Sequence, residues 1–157
     1  MPAKDENVTI IATNRKAHHD YEVEDRVEAG VVLEGTEVKS LRGGNCSIGE
    51  SFARARGEEL FLFDMHIPPY KQAGLQNHEP KRPRKLLLHR REIGRLMAQC
   101  ARRGYTLVPL SIYFRNGLVK VDLALARRRP KGDKRRQLEK EMRRQDIRSA
   151  VSRRRKR

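Results

Sequence analysis

The residues Gly44-Asn45-Cys46-Ser47-Ile48-Gly49-Glu50-Ser51 have the glycine spacing of the phosphate-binding loop found in many nucleotide-binding proteins. That loop uses a lysine to hold the phosphates, and here Glu50 stands in its place. A carboxylate at that point would repel the phosphates. No strand leads directly into the segment with a helix after it, as the motif requires. Nucleotide binding is therefore a weak interpretation of this segment.

The other residue types that could do chemistry are the histidines and cysteines. His18-His19-Asp20 could form a metal or acid–base site, but adjacent residues on an extended chain point in opposite directions. The remaining histidines are dispersed, and neither Cys46 nor Cys100 has a CxxC partner, so both thiols are expected to stay reduced. We therefore predict no catalytic residue, no metal site and no cofactor. A histidine stacking on a nucleotide base is more plausible.

Charge is distributed unevenly along the 157 residues. Residues 127–157 contain 16 Lys and Arg against four Asp and Glu, a net charge of +12 out of +16 for the whole chain. A nearly balanced body followed by a dense basic tail is typical of a protein that docks onto a polyanion. Nucleic acid is the first candidate, and an anionic membrane surface is the second. Because no secretory signal and no long apolar span is visible, we expect a cytoplasmic protein without a membrane segment.

Periodicity in the first half of the chain predicts short strands and one short helix. The expected elements are an edge strand over residues 8–12, an alternating segment over 21–27 that slips before an apolar run over 29–33, a short helix over 37–42 capped by Thr36, and a hairpin of 51–56 with 60–65. Phe61 and Phe63 share one face of their strand. They could form a platform for stacking bases, although core packing is the favoured interpretation.

Residues 66–85 contain four prolines and predict a long surface loop, which in a compact domain is usually functional or disordered. Its basic run over 81–85 could bind phosphate or simply be solvated. After it, Ile93, Leu96, Met97, Cys100 and Ala101 fall at helical spacing, and Gly104 follows the helix. Strands are expected over 105–110, 111–114 and 118–125, with an Asn-Gly turn before the last and Val119, Val121, Leu123 and Leu125 on one face.

These elements predict a mainly β fold, an OB-fold-type small closed barrel with one main helix and a short helix. We expect a short N-terminal tail over 1–7, an OB-fold RNA-binding core over 8–126 and a basic flexible tail over 127–157. Composition favours helix over 133–151, but at about 100° per residue Leu138 and Ile147 point to opposite sides. Such a helix has no apolar stripe to bury. We therefore predict a tail that is disordered in isolation and becomes helical against a polyanion.

Five phrases of the sequence carry a resemblance to a known family. They are Asn14-Arg15-Lys16-Ala17-His18-His19-Asp20-Tyr21, Glu28-Ala29-Gly30, Gly35-Thr36-Glu37-Val38-Lys39-Ser40-Leu41-Arg42, Arg84-Lys85-Leu86-Leu87-Leu88 and Asp133-Lys134-Arg135. Their order and spacing closely resemble the SsrA-binding protein (SmpB) family of bacteria. The resemblance implies a non-catalytic OB-fold protein that binds the tRNA-like domain of transfer-messenger RNA. It also implies delivery of that RNA to stalled ribosomes for trans-translation.

The resemblance also implies which residues make contacts. In the core, the expected RNA-binding residues are Asn14, Arg15, His19, Tyr21, Glu28, Lys39, Arg42, Lys85 and Leu87. In the tail, the expected contacts with the decoding centre and the empty mRNA channel are Lys131, Gly132, Asp133, Lys134, Arg135, Asp146, Ile147 and Arg148. Glu28 could accept hydrogen bonds from bases, orient a cation or belong to a structural turn, and Leu87 could instead be a core residue. Elongation factor Tu would take part through the RNA complex, and a monomer is expected.

This chain departs from the family at the start of the tail. Arg127-Arg128-Arg129-Pro130-Lys131 stands where many relatives have Gly-Lys-Lys, and we expect Pro130 to stiffen the hinge. Gly132 stands where an aromatic or histidine side chain often precedes Asp-Lys-Arg, and glycine offers no ring to stack on ribosomal RNA bases. The alternative function is that of a general RNA chaperone or another ribosome-associated OB-fold protein.

Overall fold

The computed structural model describes residues 7–102, 104–130, 138–145 and 147–148. The chain divides into two compact units, Met1–Arg127 and Arg128–Arg157. Up to the end of its last strand, the chain forms these elements in order: β1 (Val8–Thr13), α1 (Arg15–Asp20), β2 (Tyr21–Val31), α2 (Gly35–Arg42), β3 (Phe52–Arg56), β4 (Glu59–Phe63), a single 3-10 turn (Lys71–Ala73), β5 (Arg84–Leu87), α3 (Arg90–Cys100), β6 (Tyr105–Arg115) and β7 (Leu118–Arg128).

The strands form one sheet in the order β1-β6-β3-β4-β5-β2-β7, and β6 also pairs with β7. This additional pairing closes β6, β3, β4, β5, β2 and β7 into a ring, and β1 pairs with β6 as an edge strand. The predicted small closed barrel and the predicted edge strand are therefore confirmed. The ring has six strands rather than the five of the OB type, because residues 84–87 form β5 between β4 and β2, although the predicted loop extended to residue 85.

The main core fills the interior of this ring. The alternating residues of β7 predicted to share a face, Val119, Val121, Leu123 and Leu125, are all buried, as are Leu60 and Leu62 of β4. Of the apolar stripe predicted for α3, Leu96 is buried and Ile93 and Cys100 pack against the core, whereas Ala101 follows the end of the helix and is exposed. Burial of these apolar side chains supplies the main stabilisation of the barrel.

A second, smaller cluster lies on the other face of β6 and β7, where α1 covers it. Its buried members are Ala17, Val108, Leu110, Ala124 and Ala126, and Tyr21 and Val23 of β2 pack against them. Further along β2, Val27 and Val31 pack in the main core instead. In a regular strand, residues an even number of positions apart point to the same face. These four β2 residues are all odd-numbered but pack in two different clusters, so the strand must change face between Val23 and Val27. That change is the slip in alternation visible in the sequence.

Two turns follow the predicted turn chemistry. The β6–β7 hairpin turns at Asn116-Gly117, where both residues have positive φ (50° and 80°), the backbone conformation that an Asn-Gly pair adopts most readily. The β3–β4 hairpin turns at Gly57, which has a φ of 61°. By contrast, the predicted strands over 105–110 and 111–114 form one continuous strand, β6. A bulge between Pro109 and Ser111 allows a proline to stand inside it.

In the second unit, residues 138–145 and 147–148 are helical. The side chains of Leu138, Met142 and Ile147 are exposed, in agreement with the absence of a buried apolar stripe. No helix among the described residues combines the length and apolar character needed to cross a membrane. Tail disorder in the absence of a polyanion stays a prediction.

Candidate nucleic-acid interface

The first group of predicted RNA-binding residues lies on α1 and at the start of β2. Residues Arg15–Asp20 form a helix, so the expectation of an extended chain at His18-His19-Asp20 was wrong. Arg15 is exposed on this helix. His19 is partly exposed, and its Nδ1 lies 3.2 Å from the Asp20 carboxylate. Tyr21 begins β2 directly after the helix and packs against the smaller apolar cluster. A six-residue helix without an apolar stripe gives little periodic signal, which is why the sequence did not predict it.

Asn14 belongs to the interior of the protein. Its side chain is 3 % exposed, and its Oδ1 caps α1 by accepting from the Ala17 N–H at 3.0 Å. Its Nδ2 donates to the carbonyls of Ile48 at 3.2 Å and Pro109 at 2.9 Å. Since Pro109 stands beside the bulge of β6, Asn14 joins the helix to the barrel there. Its polar atoms are therefore occupied within the protein, where they hold α1 in position.

Glu28 lies on strand β2, so the interpretation of this residue as part of a turn was wrong. Its Oε2 accepts a hydrogen bond from the Tyr113 hydroxyl at 2.5 Å and an ion pair from Arg115 Nη1 at 2.6 Å. Burial raises the pKa of Tyr113, and the hydrogen bond to Glu28 raises it further, so the phenol keeps its proton. About a third of the Glu28 side chain remains exposed. The carboxylate thus holds an arginine at the surface, the second of the roles predicted for it.

Leu87 is half exposed on β5, so the interpretation of it as a core residue was wrong. It pairs with Gly30 of β2, where a Cβ would lie 3.2 Å from the Leu87 Cβ. Glycine therefore lets the leucine side chain lie across the neighbouring strand. Two residues earlier, Lys85 is partly exposed and its Nζ contacts Glu59 at 3.2 Å. Alternation along β5 places Lys85 and Leu87 on the outer surface of the barrel.

Lys39 and Arg42 are exposed on α2, which faces the long loop after β4. The Lys39 Nζ lies 5.6 Å from the centre of the Tyr70 ring, a cation–π distance. The Asn77 side chain holds Tyr70 in place, because its Oδ1 accepts from the Tyr70 N–H at 3.0 Å and its Nδ2 donates to the Tyr70 carbonyl at 2.7 Å. This part of the predicted loop over 66–85 is therefore an ordered surface beside α2.

Internal polar contacts fasten the same loop to α2. His78 is 4 % exposed; its Nε2 donates to the Ile67 carbonyl at 2.8 Å, and its Nδ1 lies 2.9 Å from the Thr36 hydroxyl. Thr36 was predicted to cap α2, but the helix begins at Gly35 and Glu34 forms its capping box with Glu37. The Ser40 hydroxyl donates to the Pro68 carbonyl at 2.6 Å.

The basic run over 81–85 is partly internal, which neither interpretation of it anticipated. Arg84 is completely buried and pairs with the equally buried Glu37, and Arg82 Nη2 donates to the other Glu37 oxygen at 2.5 Å. Burial alone would raise the pKa of Glu37. Hydrogen bonds from the Glu34 N–H and from both arginines outweigh that effect and hold the pKa below its ordinary value. These arginines therefore serve the fold, and Lys81 and Lys85 are the cations of the run left at the surface.

Phe61 and Phe63 face outward from β4, so the favoured interpretation of core packing was wrong. Between and beside them, Leu60 and Leu62 point into the core. On the paired strand β3, Phe52 lies opposite Phe63, and their rings stack with centroids 5.5 Å apart. A partly exposed aromatic surface therefore covers the outside of this hairpin.

The predicted core residues thus fall into separate surface regions. Arg15, His19 and Tyr21 lie on α1 and the adjoining end of β2, while Lys85 and Leu87 lie on β5 beside the Gly30 end of β2. Lys39 and Arg42 lie on α2. In the tail, Ile147 and Arg148 are helical and exposed. Lys131, Gly132, Asp133, Lys134, Arg135 and Asp146 lie outside the described residues.

Comparison with known proteins gives consistent similarities over most of the chain. A family model described as SmpB protein matches residues 11–153. The chain is 51% identical to the SsrA-binding protein of Acidothermus cellulolyticus, over 97% of this chain and 96% of that protein. It is 48% identical to that of Halothermothrix orenii, over 92% and 94% of the two chains. A chain in a solved structure described as "tmRNA-SmpB: a journey to the center of the bacterial ribosome" is 50% identical. That match has a TM-score of 0.64 and covers 74% of this chain and 82% of the other.

Proposed function

The chain belongs to the SmpB protein family, and from this membership we propose that it binds transfer-messenger RNA and brings it to stalled ribosomes for trans-translation. The observation that carries the proposal is the match over nearly the full length of curated SsrA-binding proteins at about half identity. It includes the phrases around Glu28, Lys39 and Leu87 that the sequence singled out. Binding of the tRNA-like domain of that RNA is the role of the core.

Three features of the described core support an RNA-binding role. Arg15 and His19 form an accessible cationic and aromatic region on α1. Glu28 presents Arg115 at the surface while part of its own carboxylate remains exposed. Leu87 is an exposed apolar side chain on a strand that also carries Lys85, and such a side chain can pack against a base or a ribose. These features position a folded RNA by shape as well as by charge.

The tail is assigned the ribosomal part of the function. Its charge of +12 suits ribosomal RNA, and the apolar side chains of Leu138, Met142 and Ile147 are exposed. We place Lys131, Gly132, Asp133, Lys134 and Arg135 in the decoding centre, and Asp146, Ile147 and Arg148 in the empty mRNA channel. The protein acts as a monomer in the cytoplasm, without catalytic activity of its own, and meets elongation factor Tu through the RNA.

The deciding experiment is the sequencing of RNA that co-purifies with the full-length protein from cells. One discrete RNA with a tRNA-like end is expected, because a folded partner is recognised by shape. A heterogeneous set of fragments would instead identify a general RNA chaperone. In parallel, Glu28→Ala should weaken binding of the tRNA-like RNA although it makes the protein more positive. Tighter binding would count against recognition by Glu28.

A truncation tests the division between core and tail. Because β7 extends to Arg128, the variant should end at Pro130 and keep the whole strand. This variant is expected to retain specific RNA binding and to lose ribosome rescue. The two proteins must be compared at the same salt concentration, because each Lys or Arg contact to phosphate that is lost changes the salt dependence of binding. Loss of specific RNA affinity would show that the tail is part of the recognition site.

A further inference from the structure

The outer face of the β3–β4 hairpin carries aromatic rings and arginines in alternation. Phe52, Arg54 and Arg56 point outward from β3, while Ala53 and Ala55 point toward the interior. On β4, Phe61 and Phe63 point outward. The register pairs Phe52 with Phe63 and Arg54 with Phe61, so the five side chains form one continuous patch, the aromatic–arginine platform.

The contacts within the platform are stacking contacts. The Phe52 and Phe63 rings are inclined by only 17° to each other. The Arg56 guanidinium lies over two rings, 5.1 Å from the centre of Phe63 and 5.6 Å from the centre of Phe61. At the other end, the Arg54 guanidinium lies 5.8 Å from the centre of Phe52. Planar groups and positive charges therefore alternate along the patch.

The charges of the platform are available to a ligand. Within the part of the chain that the structure describes, neither Arg54 nor Arg56 forms an ion pair with a carboxylate. The two nearby carboxylates have partners elsewhere, because Glu58 contacts Arg90 at 3.7 Å and Glu59 contacts Lys85 at 3.2 Å. The platform is thus a surface of exposed guanidinium groups over partly exposed aromatic rings.

We propose that this platform binds unpaired nucleotides of RNA, with bases stacking on Phe61, Phe63 and the Arg56 plane and phosphates contacting Arg54 and Arg56. Single-stranded nucleic acid alternates a flat base with an anionic phosphate, and sites that combine aromatic side chains with cations are suited to that alternation. A double helix hides its base faces and fits the platform poorly. The proposal goes beyond the assigned function, since it concerns unpaired bases and does not require a tRNA-like fold.

The test uses full-length protein and a short single-stranded RNA containing 2-aminopurine, whose fluorescence falls when the base stacks. Wild-type protein is expected to quench this fluorescence. The double variant Phe61→Leu/Phe63→Leu keeps apolar side chains on β4 but removes the rings, and should bind the strand roughly tenfold more weakly without quenching. Phe61→Tyr/Phe63→Tyr keeps the rings and should retain both affinity and quenching. Because the tail is present in every variant, its contribution to single-strand affinity is the same in each and does not affect the comparison.

Two controls separate the proposal from simpler explanations. Leu118→Ala removes another exposed apolar side chain, far along the chain from the hairpin, and should change nothing. A duplex RNA of the same length should bind the wild type and the leucine variant equally. Unchanged single-strand binding by the leucine variant, or an equal loss for duplex and single strand, would overturn the proposal. Binding of the tRNA-like RNA is measured separately, so failure of the assigned function would be seen independently.

Discussion

Glu37 and Arg84 meet in the interior, where both side chains are fully buried and the Arg84 Nε donates to the Glu37 carboxylate. The two residues are 47 positions apart, so their pairing holds α2 against β5. Arg84 also donates to the carbonyls of Met65 at 2.5 Å and Pro80 at 3.0 Å, which fixes both ends of the long loop. One buried ion pair thus organises the surface that carries Lys39 and Tyr70.

Removing the carboxylate of this pair should destabilise the protein strongly. Glu37→Gln leaves the Arg84 guanidinium buried without a counter-charge, and the expected loss in the free energy of unfolding is about 3–5 kcal/mol. The measurement is urea denaturation of wild type and variant. As a matched control, Arg95→Gln removes a solvent-exposed ion pair with Asp25 and should cost less than about 1 kcal/mol. Similar losses for both variants would contradict a special role for the buried pair.

The same carboxylate predicts how stability changes with acid. Because the folded pKa of Glu37 lies below its ordinary value of 4.5, the unfolded chain binds this proton more readily than the folded one. The stabilisation is therefore fully present above the ordinary pKa and is lost as pH falls through the folded pKa. Denaturation curves from neutral pH to about pH 3 should show the difference between wild type and Glu37→Gln shrinking on the acid side. A constant difference would show that Glu37 does not titrate as proposed.

Cys46 should be unreactive in the folded protein. Burial raises the pKa of its thiol to about 12, and nearby Arg84 offsets this only in part. Since the thiolate is the reactive form, alkylation by iodoacetamide at about pH 8 should be slow until the chain is unfolded by guanidinium. Mass spectrometry of the alkylated peptide gives the rate for Cys46 and Cys100 separately, and burial also raises the pKa of Cys100. Rapid labelling of Cys46 in the native state would require local opening around α2.

The sequence predicted the elements whose signal is local. The strict alternation of β7, the apolar stripe of α3 and the Asn-Gly turn each lie within about a dozen residues, so periodicity and turn chemistry were enough to find them. The helix α1 was missed because it has only six residues and Ala17 is its only buried one, so it gives little periodic signal. Strand β5 was missed because its first residues are basic, and nothing local tells a buried arginine from a solvated one.

The functional surface was predicted less completely, because its residues depend on contacts between distant segments. Resemblance to the family pointed to Glu28 and Leu87, but only the fold shows that the first holds Arg115 and that the second lies exposed over Gly30. The outward direction of Phe61 and Phe63 was equally hidden. In a closed barrel, alternation gives two faces, and the sequence alone favoured the wrong one for the larger side chains. In the structure, Leu60 and Leu62 are the buried residues of β4, and the alternating phenylalanines therefore face outward.

Asn14 separates a structural contribution from direct RNA contact. Asn14→Ala removes the cap of α1 and leaves the carbonyls of Ile48 and Pro109 without their donor, so the free energy of unfolding should fall by about 2–4 kcal/mol. Arg15→Ala changes the next residue, which is exposed. It should leave the free energy of unfolding within about 0.5 kcal/mol of the wild-type value and weaken RNA binding through the lost phosphate contact.

Binding of the tRNA-like RNA should be measured at a temperature where both variants are fully folded. Under that condition Asn14→Ala should bind better than Arg15→Ala, because its effect acts through the position of α1. If instead Asn14→Ala kept its stability and lost its affinity, Asn14 would contact the RNA directly, and the cap seen here would have to open on binding.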